Sequence, residues 1–126
     1  MTAENPSGYK NLIVWQKSLQ YANTVISLID SLETSRRHYR LYEQLEASVT
    51  SVPMNIAEGR GRNSKKEYIR FLYIARGSLY ETLTLLELFK LREWLTQEAF
   101  LDLEKQSIEI AKLINGLIRS LSKSIS

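Results

Sequence analysis

Cysteine is absent from all 126 residues, which excludes disulfides and thiolate metal sites and suits a reducing cytoplasm, where the protein is expected to reside. The single histidine, His38, lies in a polar stretch with no Glu-x-x-His motif, so the paired motifs of a di-metal bundle are missing and no metal or cofactor is expected. Glycine-rich phosphate loops and nucleophile elbows are missing too, which leaves no catalytic constellation and points away from an enzyme. Two prolines and five glycines, with no alternating-polarity segments between turns, argue against a sheet. No apolar run approaches the ~18 residues of a membrane span. The opening MTAENPSGYKN has no basic stretch leading into an apolar one, so no secretory signal is expected. Low-complexity tracts, linkers and fixed-period repeats are lacking as well, which leaves one domain over residues 1–126 with a flexible N-terminus of about eight residues.

What the chain does contain is helical periodicity, in four stretches. The first is expected from about Lys10 to Glu33, with Leu12, Trp15, Leu19, Ala22, Ile26 and Ile29 as its core face and Val14, Tyr21, Val25, Leu28 and Leu32 as a second apolar stripe. After a break over Thr34 to Arg37, a second helix from about His38 to Gly59 turns Leu41, Leu45, Val49, Val52 and Ile56 inward. A polar strip of Gln44, Ser51, Asn55 and Glu58 runs beside them. Pro53 inside this pattern removes a backbone donor and predicts a kink near Val49. Gly59 is placed to follow the C-cap in a left-handed conformation.

Ser64 and Glu67 match a capping box that opens a third helix, running to about Arg92. Its core face is Tyr68, Phe71, Leu72, Ala75, Leu79, Leu83, Leu86 and Phe89. Ile69, Tyr73, Tyr80 and Leu91 flank that face on one side, Ile74 and Leu85 on the other. Thr96 is a candidate N-cap for the fourth helix, about Gln97 to Ser122, with Phe100, Leu103, Ile110, Leu113, Ile114, Leu117 and Leu121 facing in. Its outward residues, Asp102, Lys105, Glu109, Lys112 and Arg119, are all charged.

Short connections between long amphipathic helices imply an all-α, up-down-up-down antiparallel four-helix bundle. The first and third helices carry apolar surface beyond the ~100° stripe that one core uses, and the fourth does not. Self-association through the first and third helices follows, since large apolar patches are unusual on soluble monomers. Packing of those flanks beneath the N-terminal segment or the loops is the alternative.

Three segments resemble the 23S rRNA intervening-sequence (S23) family of four-helix bundles. They are Leu12-Ile13-Val14-Trp15-Gln16-Lys17, Val52-Pro53-Met54-Asn55-Ile56-Ala57-Glu58-Gly59 and Phe71-Leu72-Tyr73-Ile74-Ala75-Arg76-Gly77-Ser78-Leu79-Tyr80-Glu81. The resemblance runs from about Tyr9 to Leu121. It implies assembly into a ring, typically a homopentamer, in a bacterial protein with no established enzymatic activity. Retroelement accessory subunits of similar fold are basic rings that bind nucleic acid and a reverse transcriptase. The chain departs from the family pattern at Gln44-Leu45-Glu46-Ala47-Ser48, where many relatives carry Gln-x-x-Arg-Ala. It departs again at Thr34 to Leu41, where Arg36, Arg37 and Arg40, beside His38, make a basic cluster of their own.

Asn55 with Glu58, and Ser78 with Glu81, each lie one turn apart and read either as a polar pocket or as a hydrogen-bonded seam fixing helix register. Mid-helix Gly77 costs ~1 kcal/mol relative to alanine, which suggests close helix packing there. Between those motifs Arg60, Arg62, Lys65, Lys66 and Arg70, with Arg76 further on, are opposed only by Glu58 and Glu67. The five cations from Arg60 to Arg70 are the candidate grip on RNA or DNA phosphates. Tyr73 and Tyr80 suit base stacking or interface packing. Two functions remain open: a ring-forming nucleic-acid accessory protein, or a structural oligomer or adaptor that engages a protein partner such as a reverse transcriptase.

Overall fold

The computed structural model describes residues 8–32 and 38–125, and every regular element among them is helical. A 3-10 turn, Tyr9–Asn11, precedes α1 (Ile13–Ser31), α2 (Tyr39–Arg60), α3 (Lys65–Leu91) and α4 (Gln97–Lys123). The break expected over Thr34 to Arg37, the end of the first helix at Glu33 and the flexible terminus up to residue 7 lie outside the described residues.

Helix backbones approach one another around a square, from α1 to α2 to α3 to α4 and back to α1, with no close backbone approach across either diagonal among the described residues. Paired residues give the direction. Ser48 meets Thr82 and Ser51 meets Ser78, so numbers rise on α2 as they fall on α3. Tyr21 with Ser107 and Lys17 with Glu109 show the same for α1 and α4, and Lys65 with Ser124 and Arg76 with Asn115 for α3 and α4. The all-α antiparallel bundle expected from the sequence is the fold observed.

Local chemistry sets the helix starts. Ser64 Oγ accepts from the Glu67 amide at 3.1 Å, and Thr96 Oγ1 accepts from the Ala99 amide at 3.1 Å. Each satisfies an amide that has no partner within its helix. The Glu67 carboxylate, expected to complete a capping box, turns instead to Arg70.

Around α1 the core face differs from the sequence expectation. Val14, Ser18, Tyr21, Ala22, Val25 and Ile29 are buried, while Leu19 is exposed and Trp15 and Ile26 are half-buried. The helix is rotated toward its second stripe, and the two hydroxyls this buries are both satisfied. Ser18 donates to the Trp15 carbonyl, and Tyr21 shares a hydrogen bond with Ser107, whose hydroxyl also donates to the Leu103 carbonyl. Satisfied in this way, a serine and a tyrosine can occupy core positions that a polarity scale assigns to the surface. Leu85 on α3 and Ile118 on α4 likewise join the core.

Burial pushes the Tyr21 phenol up to about 12, against the lowering effect of its Ser107 hydrogen bond. The folded state therefore prefers neutral tyrosine. This contribution is fully present below pH 10 and is lost as pH rises from 10 toward about 12, with a total of about 2–3 kcal/mol. Tyr21→Phe should show a shallower loss of stability over that window in denaturant midpoints than the parent chain. An unchanged alkaline slope would contradict the assignment.

Candidate nucleic-acid interface

The turn between α2 and α3 is built by one helix ending and another starting with little chain between them. α2 continues through Arg60 and is capped at Gly61, whose amide donates to the Ala57 carbonyl at 3.2 Å. α3 begins after Ser64. The antiparallel arrangement brings the last turn of α4 to the same end, where the Lys65 ammonium donates to Ser124 Oγ at 2.7 Å. Lys123, in that last turn, thereby joins the basic end. Its proximity follows from the α3–α4 pairing and was not singled out from sequence spacing.

The five expected cations differ in what they do here. Arg62 and Arg70 flank the Phe71 ring, with guanidinium carbons 4.7 and 4.6 Å from its centroid. Each is also held by a carboxylate: Arg62 by Glu58 one turn back, and Arg70 by Glu67 at 3.1 Å. The Arg70 hydrogen bond, foremost, holds the Glu67 carboxyl below its ordinary value. Both pairs are exposed, so each adds little to stability. Their effect is to hold both guanidiniums against one aromatic ring. Arg60 lays its guanidinium against Gly8, and Lys66 is exposed with no partner among the described residues.

From Glu58 to Arg70 there are five cations and two carboxylates. This local excess of three equals the formal net charge of the whole chain, +3, so the remaining residues sum to neutrality. The α2–α3 end of the bundle is therefore basic, and the sequence carries a second excess of three at Arg36, Arg37 and Arg40. Arg76 and Arg40 do not belong to the α2–α3 end. Arg76 donates to Asn115 Oδ1 at 2.8 Å and packs on Tyr73, and Arg40 sits in the first turn of α2 at the opposite end. Arg36 and Arg37 lie outside the described residues.

The flanking motifs form a seam. Ser51 and Ser78 share a hydrogen bond at 2.8 Å, Asn55 Nδ2 donates to the Ser51 carbonyl and hydroxyl, and Gln44 reaches Glu81 at 3.5 Å. A buried Ser48–Thr82 pair at 2.9 Å extends the line into the core. The sequence reading missed that pair, although Ser48 lies one turn before inward-facing Val52. Glu58 turns away from the seam toward Arg62, so Asn55 and Glu58 do not share a pocket.

Two glycines depart from expectation. Gly59 lies inside α2 and is buried, and the residue that caps the helix, Gly61, has right-handed backbone angles. A Cβ at Gly59 would stand 2.8 Å from the Phe71 Cβ and 3.1 Å from Tyr68 Cδ1. Close approach of α3, with no left-handed conformation involved, is what demands glycine there. At Gly77 the close packing expected within the chain is absent: nothing lies within 4 Å of an added Cβ. Tyr73 and Tyr80, on the same side of α3, are each 48% exposed.

Among the described residues no cluster of three His, Asp or Glu side chains could hold a metal ion, and no helix is long and apolar enough to cross a membrane.

The family model for 23S rRNA-intervening sequence proteins matches residues 10–116. The chain is also similar to a solved structure from Bacteroides thetaiotaomicron VPI-5482, a protein with unknown function from the S23 ribosomal protein family. The two are 31% identical with a TM-score of 0.79, over 84% of this chain and 98% of the other. No curated protein matches the sequence.

Proposed function

Because the chain belongs to the 23S rRNA-intervening sequence protein family, we propose that it is a non-enzymatic, ring-forming accessory protein of the bacterial cytoplasm that holds RNA through phosphate contacts. The observation that carries this reading is the local excess of three positive charges from Glu58 to Arg70, around the turn between α2 and α3. One such turn is a weak anion site. A homopentamer, the assembly that the resemblance implies, repeats it five times and sums the fields. Arginine forks and lysine point charges suit phosphate oxygens, and the cluster offers no preformed set of donors for reading base edges. RNA binding is therefore expected to be strong at low salt and only weakly selective for sequence.

A second reading, an oligomer or adaptor that engages a protein partner without touching nucleic acid, is favoured by one feature. Arg62 and Arg70 already satisfy their charge on Glu58 and Glu67. Electrophoretic titration against structured 23S-type RNA and an unrelated duplex, at two salt concentrations, separates the readings. The nucleic-acid reading expects both to shift at low salt and both to weaken steeply as salt rises. No shift at the lower salt would leave the adaptor reading standing.

A further inference from the structure

The N-terminal turn reaches the basic end of the bundle. Gly8 stands at the head of the 3-10 turn with φ 75°, in the left-handed region. A Cβ there would stand 2.9 Å from Arg60 Nη2, 3.3 Å from its Cζ and 3.6 Å from its Nε, so the Arg60 guanidinium lies against the Gly8 backbone. Positive φ favours glycine, and the guanidinium leaves no room for a side chain unless Arg60 moves.

The turn is itself tied down. Gln16 Nε2 donates to the Lys10 carbonyl at 2.7 Å, and the Leu12 amide donates to the Tyr9 carbonyl at 3.0 Å. The Tyr9 ring meets Trp15 at a steep angle, with centroids 5.1 Å apart. Arg60 is held at its other end too. It follows Gly59, which is buried against Phe71 and Tyr68 with no room for a Cβ. The approach of α3 to α2 thus fixes the Arg60 backbone, and Gly8 backs its guanidinium.

Arg60 nevertheless stays exposed and forms no ion pair among the described residues, whereas Glu58 holds Arg62 and Glu67 holds Arg70. Burial pushes the neighbouring Tyr68 phenol up, and the one charge among the described residues that acts on it, Arg60, draws it down. No described carboxylate offsets Arg60 from that side.

We propose that Arg60 is the anchoring arginine of the phosphate surface and that Gly8, by backing its guanidinium, is a positioning residue for it. This inference rests on the RNA reading above and adds the N-terminal turn to the interface. A mobile arginine loses many rotamers when it grips a phosphate. One already held at both ends loses fewer, and the difference shows as affinity. The exposed fork of Arg60 can meet phosphate oxygens directly, while Arg62 and Arg70 must first release a carboxylate.

Gly8→Asn separates placement from charge. Asparagine tolerates positive φ, so the turn keeps its shape, while the new Cβ displaces the flexible end of Arg60. Anisotropy titrations with a labelled 23S-type RNA compare the parent, Gly8→Asn, Arg60→Gln and the double variant, each beside a thermal melt. Gly8→Asn should bind about fivefold more weakly than the parent with an unchanged salt slope, since no charge is lost. Gly8→Ala brings the same Cβ with less bulk and should weaken binding to a similar extent. Arg60→Gln should bind more weakly still, with a shallower slope, and Gly8→Asn should add nothing in that background. Arg60→Lys should not restore parental affinity, because lysine has no planar fork to rest on Gly8. Parental affinity in both Gly8 variants, or an equal loss from Gly8→Asn with and without Arg60, overturns the positioning role while leaving the RNA reading intact. A parent chain that binds no RNA at the lowest salt overturns both.

Discussion

A chain carrying Arg60→Glu, Lys65→Glu and Lys66→Glu should bind RNA at least about 100-fold more weakly at low salt than the parent, with the bundle still folded. The three side chains sit at or beside the α2–α3 turn, and their substitution touches no core residue. Lys65 gives up an exposed hydrogen bond to Ser124, and Arg60 its packing against Gly8. Changes at such positions usually shift stability by no more than about 0.5 kcal/mol each. In a ring each substitution is repeated on every copy, and reversing the charge replaces attraction by repulsion along the whole rim. Arg62→Gln and Arg70→Gln should weaken binding less, because Glu58 and Glu67 already offset those two charges. Fluorescence anisotropy with a labelled RNA, beside thermal melts of each variant, reads both effects. Equal affinities for the parent and the triple variant would remove this end of the bundle from the binding surface.

Gly59→Ala and Gly77→Ala should change stability in opposite directions. At Gly59 the new methyl would stand 2.8 Å from the Phe71 Cβ and 3.2 Å from the Tyr68 carbonyl oxygen, and neither is the loose end of a side chain. Forcing α2 and α3 apart should cost about 1–3 kcal/mol, and valine more. At Gly77 the methyl meets nothing within 4 Å, so the dissociated chain should gain up to about 1 kcal/mol of helix propensity. Urea midpoints at matched protein concentration give both numbers. A neutral Gly59→Ala would mean that the helices have room to spare where the structure packs them tightest.

The same two glycines mark where sequence reading works and where it stops. Helix starts were legible because a hydroxyl three residues before an amide it can cap is a local signal: Ser64 and Thr96 needed no tertiary information. The bundle itself was legible from the spacing of apolar residues. The rotation of α1 was not, since the group that satisfies the buried Tyr21 is Ser107, eighty-six residues away in sequence. Gly59 sits at a helix end, where a left-handed cap and a close helix approach are equally good reasons for glycine. Only the position of Phe71 and Tyr68 decides between them.

At the candidate interface the five cations were visible as a cluster in sequence. The Glu58–Arg62 pairing at i,i+4 was latent in the same string, whereas the stacking of Arg62 and Arg70 on one phenylalanine was not. Lys65 reaching Ser124 required knowing which helix returns to that end.

The central claim is that repeated copies of one basic turn act together on RNA. Its most direct test is the salt dependence of RNA affinity for the parent chain. Five cations from Arg60 to Arg70, with Lys123, on a single copy can release enough counterions for a slope of at most about −5.4 in log affinity against log salt. A ring acting through its rim predicts a steeper slope, together with a light-scattering mass of several chains. A shallower slope, or no binding at the lowest salt, would contradict it.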